Sequence, residues 1–257
     1  MITKNQLNAL TATMKTNTMT IYREYLQILF LSRLYTQEKS NKIFFKGGTA
    51  IHLLFKAPRF SEDLDFSVML SEKEFIVCIH EVFKKLTYEE KIIFKERKTI
   101  SGKRFLLTAN DPEILPHACF INLDFSFREK IIQPEKSIID SQYPVIFTSF
   151  VHHISAQEMC AEKIRALITR QKGRDLFDLW YLISKGASID SDLVQEKLKF
   201  YKMTGDQLPL LAKRIHAFTE KDFIVDMKPF VPVNERDRLK ETFDYITSYL
   251  LEKLKPS

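Results

Sequence analysis

Apolar residues near the start of the chain recur at helical spacing. Ile21, Tyr22, Leu26, Ile28, Leu29, Phe30 and Leu34 predict one amphipathic helix between Asn17 and Gln37. Residues 42–46 then read as a short apolar strand or helix end, and residues 49–56 as a helix. Pro58 forces an extended turn, because proline and the residue before it disfavour helix. A strand is expected over Asp63–Met69, after which Ser71 and Glu74 form a capping box opening a helix to about Lys85. Alternation over Lys91–Ile100 and Arg104–Ala109, around Ser101-Gly102, predicts a hairpin. In Cys119–Phe127 a period of two puts Ile121, Leu123, Phe125 and Phe127 on one face, and Asn122, Asp124 and Ser126 on the other.

After a last strand near Tyr143–Phe150 the pattern turns helical. Ser155 with Glu158 is a second capping box, opening a helix to about Arg170 that Gly173 breaks. Arg174–Ser184 is the next helix, with Gly186 as its C-cap, and others are expected near Asp190–Met203, Gly205–Phe218 and Asn234–Leu254. The class is therefore α+β. A short mixed sheet with helices occupies a domain over residues 1–150, an all-helical domain follows over 151–257, and the boundary falls near Phe150.

Composition narrows this picture. A hydrophobic content of 45% in 257 residues is enough for two cores, and few, scattered glycines and prolines argue against disorder or repeats. The net charge of +6 suits a polyanionic partner and an ordinary surface alike. Cys78, Cys119 and Cys160 have no C-x-x-C spacing, which indicates neither a disulfide framework nor a zinc site and suits a reducing cytoplasm. The N-terminal segment lacks the order of a signal peptide, and its longest apolar run, Ile28 to Leu31, is too short to span a bilayer. A cytoplasmic protein without a membrane partner is expected.

The residues with chemistry begin at Lys46, in KGGTAIHLLFKAPRFSEDLDF. Residues i and i+2 of a strand share a side, so Asp63 and Asp65 present two carboxylates to one point while Leu64 and Phe66 face the core. Hard cations such as Mg²⁺ favour that donor set. Gly47 and Gly48 have no Cβ, so a phosphate can come close, and a helix starting near Thr49 turns its free N–H groups toward it. A lone D-x-D also occurs on solvated strands; the upstream glycine pair favours the nucleotide reading. Asp124 is either a third carboxylate for a metal pair or a strand-edge aspartate. Arg59 and Ser61 either contact phosphate or hold the turn before Asp63.

A second constellation is AEKIRALITRQKGRDLFDLW, with five cations, Lys163, Arg165, Arg170, Lys172 and Arg174, within twelve residues. Lys163 shares a helix face with Leu167 and Arg170, so its ammonium either reaches toward a triphosphate or joins an intrahelical ion network. Asp175 and Asp178 are i, i+3 neighbours, and Arg174 is spaced to pair with Asp178. Trp180 and Tyr181 are read as core aromatics. The six histidines lack H-E-x-x-H spacing, and neither G-x-S-x-G nor a P-loop is present.

Together KGGTAIHLLFKAPRFSEDLDFSV, NLDFSFRE and EKIRALITRQKGRDLFDLW resemble the AbiEii/AbiGii toxin family of nucleotidyltransferases, which includes the MenT toxins, over about residues 40–185. The resemblance implies a DNA polymerase β-like fold, with a helical C-terminal lobe closing the cleft. It places Gly47, Gly48 and Thr49 at the glycine turn and makes Asp63 and Asp65 ligands of two Mg²⁺ ions, with Mn²⁺ as an alternative. Asp124 falls at the third carboxylate and Lys163 at a phosphate contact, while Asp178, or alternatively Asp175, falls at a later essential aspartate. Arg59, Ser61 and Arg174 complete the expected NTP contacts. Relatives are toxins paired with an antitoxin, and some transfer nucleotides to the 3′ end of tRNA. The expected activity is thus NMP transfer from NTP to an RNA acceptor with release of pyrophosphate. The competing expectations are transfer to a small molecule of the aminoglycoside type and a non-catalytic nucleotide- or antitoxin-binding module.

Overall fold

The structure is a computed structural model that describes residues 2–255; Phe200, Thr204 and Asp206 lie outside the described residues. Two compact units are formed, one by residues up to Lys56 with Phe60–Ile154, the other by Ala57–Arg59 with the chain from Ser155 onward.

The first unit begins with α1 (Lys4–Met14) and α2 (Thr18–Leu34), the latter started by Asn17, whose side chain accepts from the Thr20 N–H. There follow β1 (Ile43–Lys46), α3 (Gly47–Phe55), β2 (Leu64–Val68) and α4 (Glu72–Glu89). Then come β3 (Ile92–Arg97), β4 (Lys103–Ala109), β5 (Cys119–Ser126), β6 (Pro134–Ser137) and β7 (Val151–Ile154). The strands form one mixed sheet in the order β3-β4-β5-β2-β1-β7-β6. β2 lies between β1, antiparallel to it, and β5, parallel to it.

One face of this sheet is covered by α2 and α4. Phe66 of β2 stacks on Phe125 of β5 with centroids 4.8 Å apart, Phe75 of α4 sits 4.7 Å from Phe125, and Phe30 of α2 packs on Phe66 and Phe94. Each such buried ring contributes about 1.5–3 kcal/mol through burial, with about 0.5–1.5 kcal/mol more per aromatic pair. This packing fixes which side of each strand is apolar and so leaves the alternate residues, Asp63 and Asp65 among them, on the other face.

The second unit is helical: α5 (Ala156–Thr169), α6 (Gly173–Ser184), α7 (Ser191–Lys199), α8 (Leu208–His216), α9 (Glu220–Met227) and α10 (Leu239–Lys253). Ser155 caps α5 by accepting from the Glu158 N–H at 3.0 Å, while the Glu158 carboxylate is taken up by the buried Lys197 at 2.5 Å. No helix among the described residues is long and apolar enough to cross a membrane.

Four sequence expectations are corrected. Residues 143–150 form no strand; Pro144 removes a ladder donor there, and the pairing begins at Val151. Gly173 opens α6 instead of breaking α5, its N–H donating to Asp226 Oδ2 at 2.8 Å. The helices expected at Asp190–Met203 and Gly205–Phe218 are shorter, and each expected span includes a residue outside those described. Finally α1 and α9, which had no counterpart in the sequence pattern, are helices.

Candidate active site

The register of the sheet brings the carboxylates together. Lys46 of β1 pairs with Asp65 of β2, Asp65 with Asp124 of β5, Asp124 with Arg104 of β4, and Arg104 with Arg97 of β3. Directly paired residues project to the same side, so this row crosses five strands on the face opposite the phenylalanine core. Asp63 and Asp65 are half-buried there, while Leu64 and Phe66 are completely buried on the other side.

Several residues of this face have a defined neighbour. Asn122, two residues before Asp124, donates to Asp63 Oδ1 at 2.9 Å. Arg104 Nε donates to Asp124 Oδ1 at 2.5 Å. Lys46 Nζ is 2.5 Å from Glu129 Oε2. Burial pushes the Asp124 carboxyl above the usual range, Arg104 pulls it back, and Asp63 adds to the upward push. Arg104 is raised by its bond to Asp124 and further by the fields of Asp63 and Asp65, so these groups form one electrostatic patch.

Gly47 determines how the phosphate-facing turn meets the carboxylates. Its φ is +77°, a region costly for any other residue, and a Cβ there would overlap Asp65 Oδ2 and lie 3.0 Å from Asp65 Cγ. The backbone at the start of α3 therefore rests against the Asp65 carboxylate. The Thr49 hydroxyl donates to the Asp63 carbonyl oxygen, joining the helix to the turn before β2. Lys46 occupies the N-cap and its ammonium offers no acceptor, so the cap side chain takes up none of the first N–H groups of α3.

The donor chemistry fits a divalent cation. Asp63 and Asp65 supply hard oxygens on one face, and Mg²⁺ is commonly held by one or two carboxylates with the remaining positions filled by water and substrate phosphates. Among the described residues no three acidic, histidine or cysteine side chains gather into a complete cage. Asp124, the third carboxylate of this face, takes Arg104 on its Oδ1.

The remaining expected residues lie in the second unit, apart from Ser61. Lys163 of α5 is buried and bonds Asp175 Oδ1 at 2.9 Å and Asp178 Oδ2 at 2.7 Å, both on α6. Arg59 donates to both Asp178 oxygens, at 2.6 and 2.5 Å, and Arg170 Nε donates to Asp175 Oδ2 at 2.8 Å. Burial disfavours charge on Lys163 and Asp175, but the partners outweigh it: Lys163 is held above its ordinary value and Asp175 below. Arg174 does not pair with Asp178; its guanidinium lies over the Phe230 ring at 4.4 Å. In the first unit, the Ser61 carbonyl oxygen accepts from Gln27 Nε2 at 3.1 Å. The sequence assigns Arg104 and Lys46 no role, and it places Asn122 on the Asp124 face by simple alternation without giving it one.

A mixed sheet carrying two strand carboxylates beside a glycine-opened helix is the arrangement of a nucleotidyltransferase. The sequence model described as "Nucleotidyl transferase AbiEii toxin, Type IV TA system" matches residues 29–247, and the chain belongs to that family. It is thus a nucleotidyltransferase toxin of a type IV toxin–antitoxin system, and membership implies an NTP substrate, a divalent metal and a cognate antitoxin. The fold is similar to that of MenT4, a nucleotidyltransferase toxin from Mycobacterium tuberculosis, with a TM-score of 0.65, 21% identity, and coverage of 96% of this chain and 90% of that one. JHP933 from Helicobacter pylori is also similar, with a TM-score of 0.55, 21% identity, and coverage of 91% and 93%. No curated protein matches the chain.

Proposed function

We propose that this toxin transfers a nucleoside monophosphate from an NTP to a hydroxyl of RNA, with the 3′ end of tRNA as acceptor, in a Mg²⁺-dependent reaction in the cytoplasm. The observation that carries the reading is the contact between the Gly47 backbone and the Asp65 carboxylate, which sets a phosphate-binding helix end beside two metal-binding oxygens. Gly47, Gly48 and Thr49 bind the triphosphate through backbone N–H groups. Asp63 and Asp65 hold the cations, which neutralise the phosphate charge when bound. Asn122 orients Asp63 by its hydrogen bond.

The acceptor oxygen forms its bond to the α-phosphorus as the bond to the bridging oxygen breaks, and pyrophosphate leaves. We assign Asp124 to receive the hydroxyl proton. In the second unit, Arg59, Lys163, Asp175 and Asp178 are satisfied by one another, and we assign them to holding the Ala57–Arg59 segment in place. The test is incubation with total RNA and each α-labelled NTP in turn, with and without Mg²⁺. Label on tRNA-sized species only with Mg²⁺ is the expected result; label on an aminoglycoside panel and none on RNA would overturn it.

A further inference from the structure

We propose that the open face of β3, β4 and β5 is the platform on which a single-stranded RNA end lies as it enters the site; this rests on the reading of Asp63 and Asp65 as the nucleotidyl-transfer centre. The sheet pairing defines that face. Ile93, Thr108 and Phe120 form one row, Lys95, Leu106 and Asn122 the next, and Arg97, Arg104 and Asp124 the third, which continues to Asp65. Residues between these rows, such as Phe105, Leu107 and Leu123, are buried in the core.

Three features of this face suit single-stranded nucleic acid. First, it exposes large apolar groups: Phe120 is 51% and Ile93 64% accessible. An aromatic ring exposed on a sheet is the element on which an unpaired base stacks, and stacking tolerates any sequence. Second, its basic residues are available. Lys95 and Arg97 are exposed and make no ion pair among the described residues, whereas Lys103, on the other face, is matched by Glu72 and Glu96, each at 3.0 Å. Third, Arg97 stands directly opposite Arg104 across β3 and β4, and Arg104 is bonded to Asp124, so Arg97 is the cation at the outer end of the row that leads to the carboxylates.

The dimensions agree. Three strand spacings of about 4.8 Å separate β3 from β2, so the platform is about 14 Å wide. That is room for two or three bases, about the number that four-stranded RNA-binding sheets stack. A strand lying on Phe120 with phosphates over Lys95 and Arg97 leads along the Arg97–Asp65 row to the carboxylates. Duplex ends, whose bases are already stacked and paired, cannot use the Phe120 ring in this way.

The test uses the full chain and fluorescence anisotropy of a short fluorescein-labelled single-stranded RNA of mixed sequence, beside the blunt duplex of the same sequence. Wild type is expected to prefer the single strand. Phe120→Ala is expected to weaken single-strand binding about tenfold, within the range of one lost base stack. Lys95→Gln with Arg97→Gln is expected to reduce the salt dependence by about 1.4 in slope, while Lys103→Gln leaves it unchanged. All the substituted residues are at least partly exposed, and thermal melts close to wild type establish that each variant is folded. NTP binding in Mg²⁺, measured by calorimetry, is expected to be unaltered in each. Equal affinity of wild type and the Phe120 and Lys95/Arg97 variants, or tighter binding of duplex, overturns the platform. If NTP still binds, the nucleotidyl-transfer reading survives that result; loss of NTP binding in wild type overturns both.

Discussion

Arg59 lays its guanidinium along both carboxylate oxygens of Asp178, at 2.6 and 2.5 Å, with 2% and 0% of the two side chains exposed. Removing one partner of such a pair leaves the other charged and buried, which costs about 3–5 kcal/mol. Asp178→Ala is therefore expected to lower the melting temperature markedly and to lose activity through loss of structure. A full-stability Asp178→Ala protein that is inactive would instead place Asp178 in direct contact with substrate.

Asp65→Asn is expected to behave in the opposite way. The side chain keeps its size, and removing one of two neighbouring negative charges does not harm the fold, but nucleotide transfer should fall on the order of 10³-fold. Paired melting curves and α-labelled NTP assays on the same preparation check both halves of this expectation.

Gly47→Ala tests the close approach at the helix start. The positive φ alone costs about 1–2 kcal/mol in a residue with a Cβ, and the new methyl meets the Asp65 carboxylate. Activity should drop by far more than that stability loss accounts for. Gly186→Ala, also at a positive φ but with no atom within 4 Å of the added Cβ, is the matched control and should remain active.

Chelation should abolish transfer, and added Mg²⁺ should restore it. In addition, Mg²⁺ should raise the melting temperature of wild type in the presence of NTP, and this shift should vanish in Asp63→Asn. Binding to the folded state alone produces such a shift.

The pH dependence follows from Asp175. Burial opposes its charge, but Lys163 and Arg170 outweigh that effect and depress its pKa in the folded state. A depressed carboxylate stabilises the fold above its unfolded pKa of about 3.9, and this contribution disappears as pH falls further toward the folded value. The stability gap between wild type and Asp175→Asn in urea should be constant from pH 8 to about 5 and shrink below about 4. A gap unchanged down to strongly acidic pH would show that the carboxylate's charge is not its source.

Local signals were readable in the chain. The D-x-D alternation, the capping box at Ser71, the N-cap at Ser155 and the R-D-x-x-D helix lie where the pattern of residues put them, although the Glu158 carboxylate goes to Lys197 and does not close a box with Ser155. Long-range pairing was not readable: nothing adjacent to Arg104 marks it as the partner of Asp124, since strand register is set by the whole core. Asp178 shows the same limit. Its helical neighbour Arg174 satisfies the i, i+4 rule, yet a cation 119 positions away takes its place, because Asp178 points into the unit's interior and Arg174 lies against Phe230. α1 was missed for a different reason: only Leu7 of that helix is buried, so it carries almost no apolar stripe despite its Thr3–Gln6 capping box.

Three residues, Ala57–Arg59, belong to a unit whose other members begin at Ser155. During synthesis the helical half thus has to recover a segment made long before it, closing a loop of over a hundred residues around the Arg59–Asp178 pair. Such non-local contacts form late and slowly. A ribosome-bound or truncated chain that stops short of α6 has no acceptor for Arg59, and a fragment beginning at Ser155 has no guanidinium for Asp178. The helical half is then not a self-sufficient folding unit, so it matures only once the chain from Ala57 through α6 has been made.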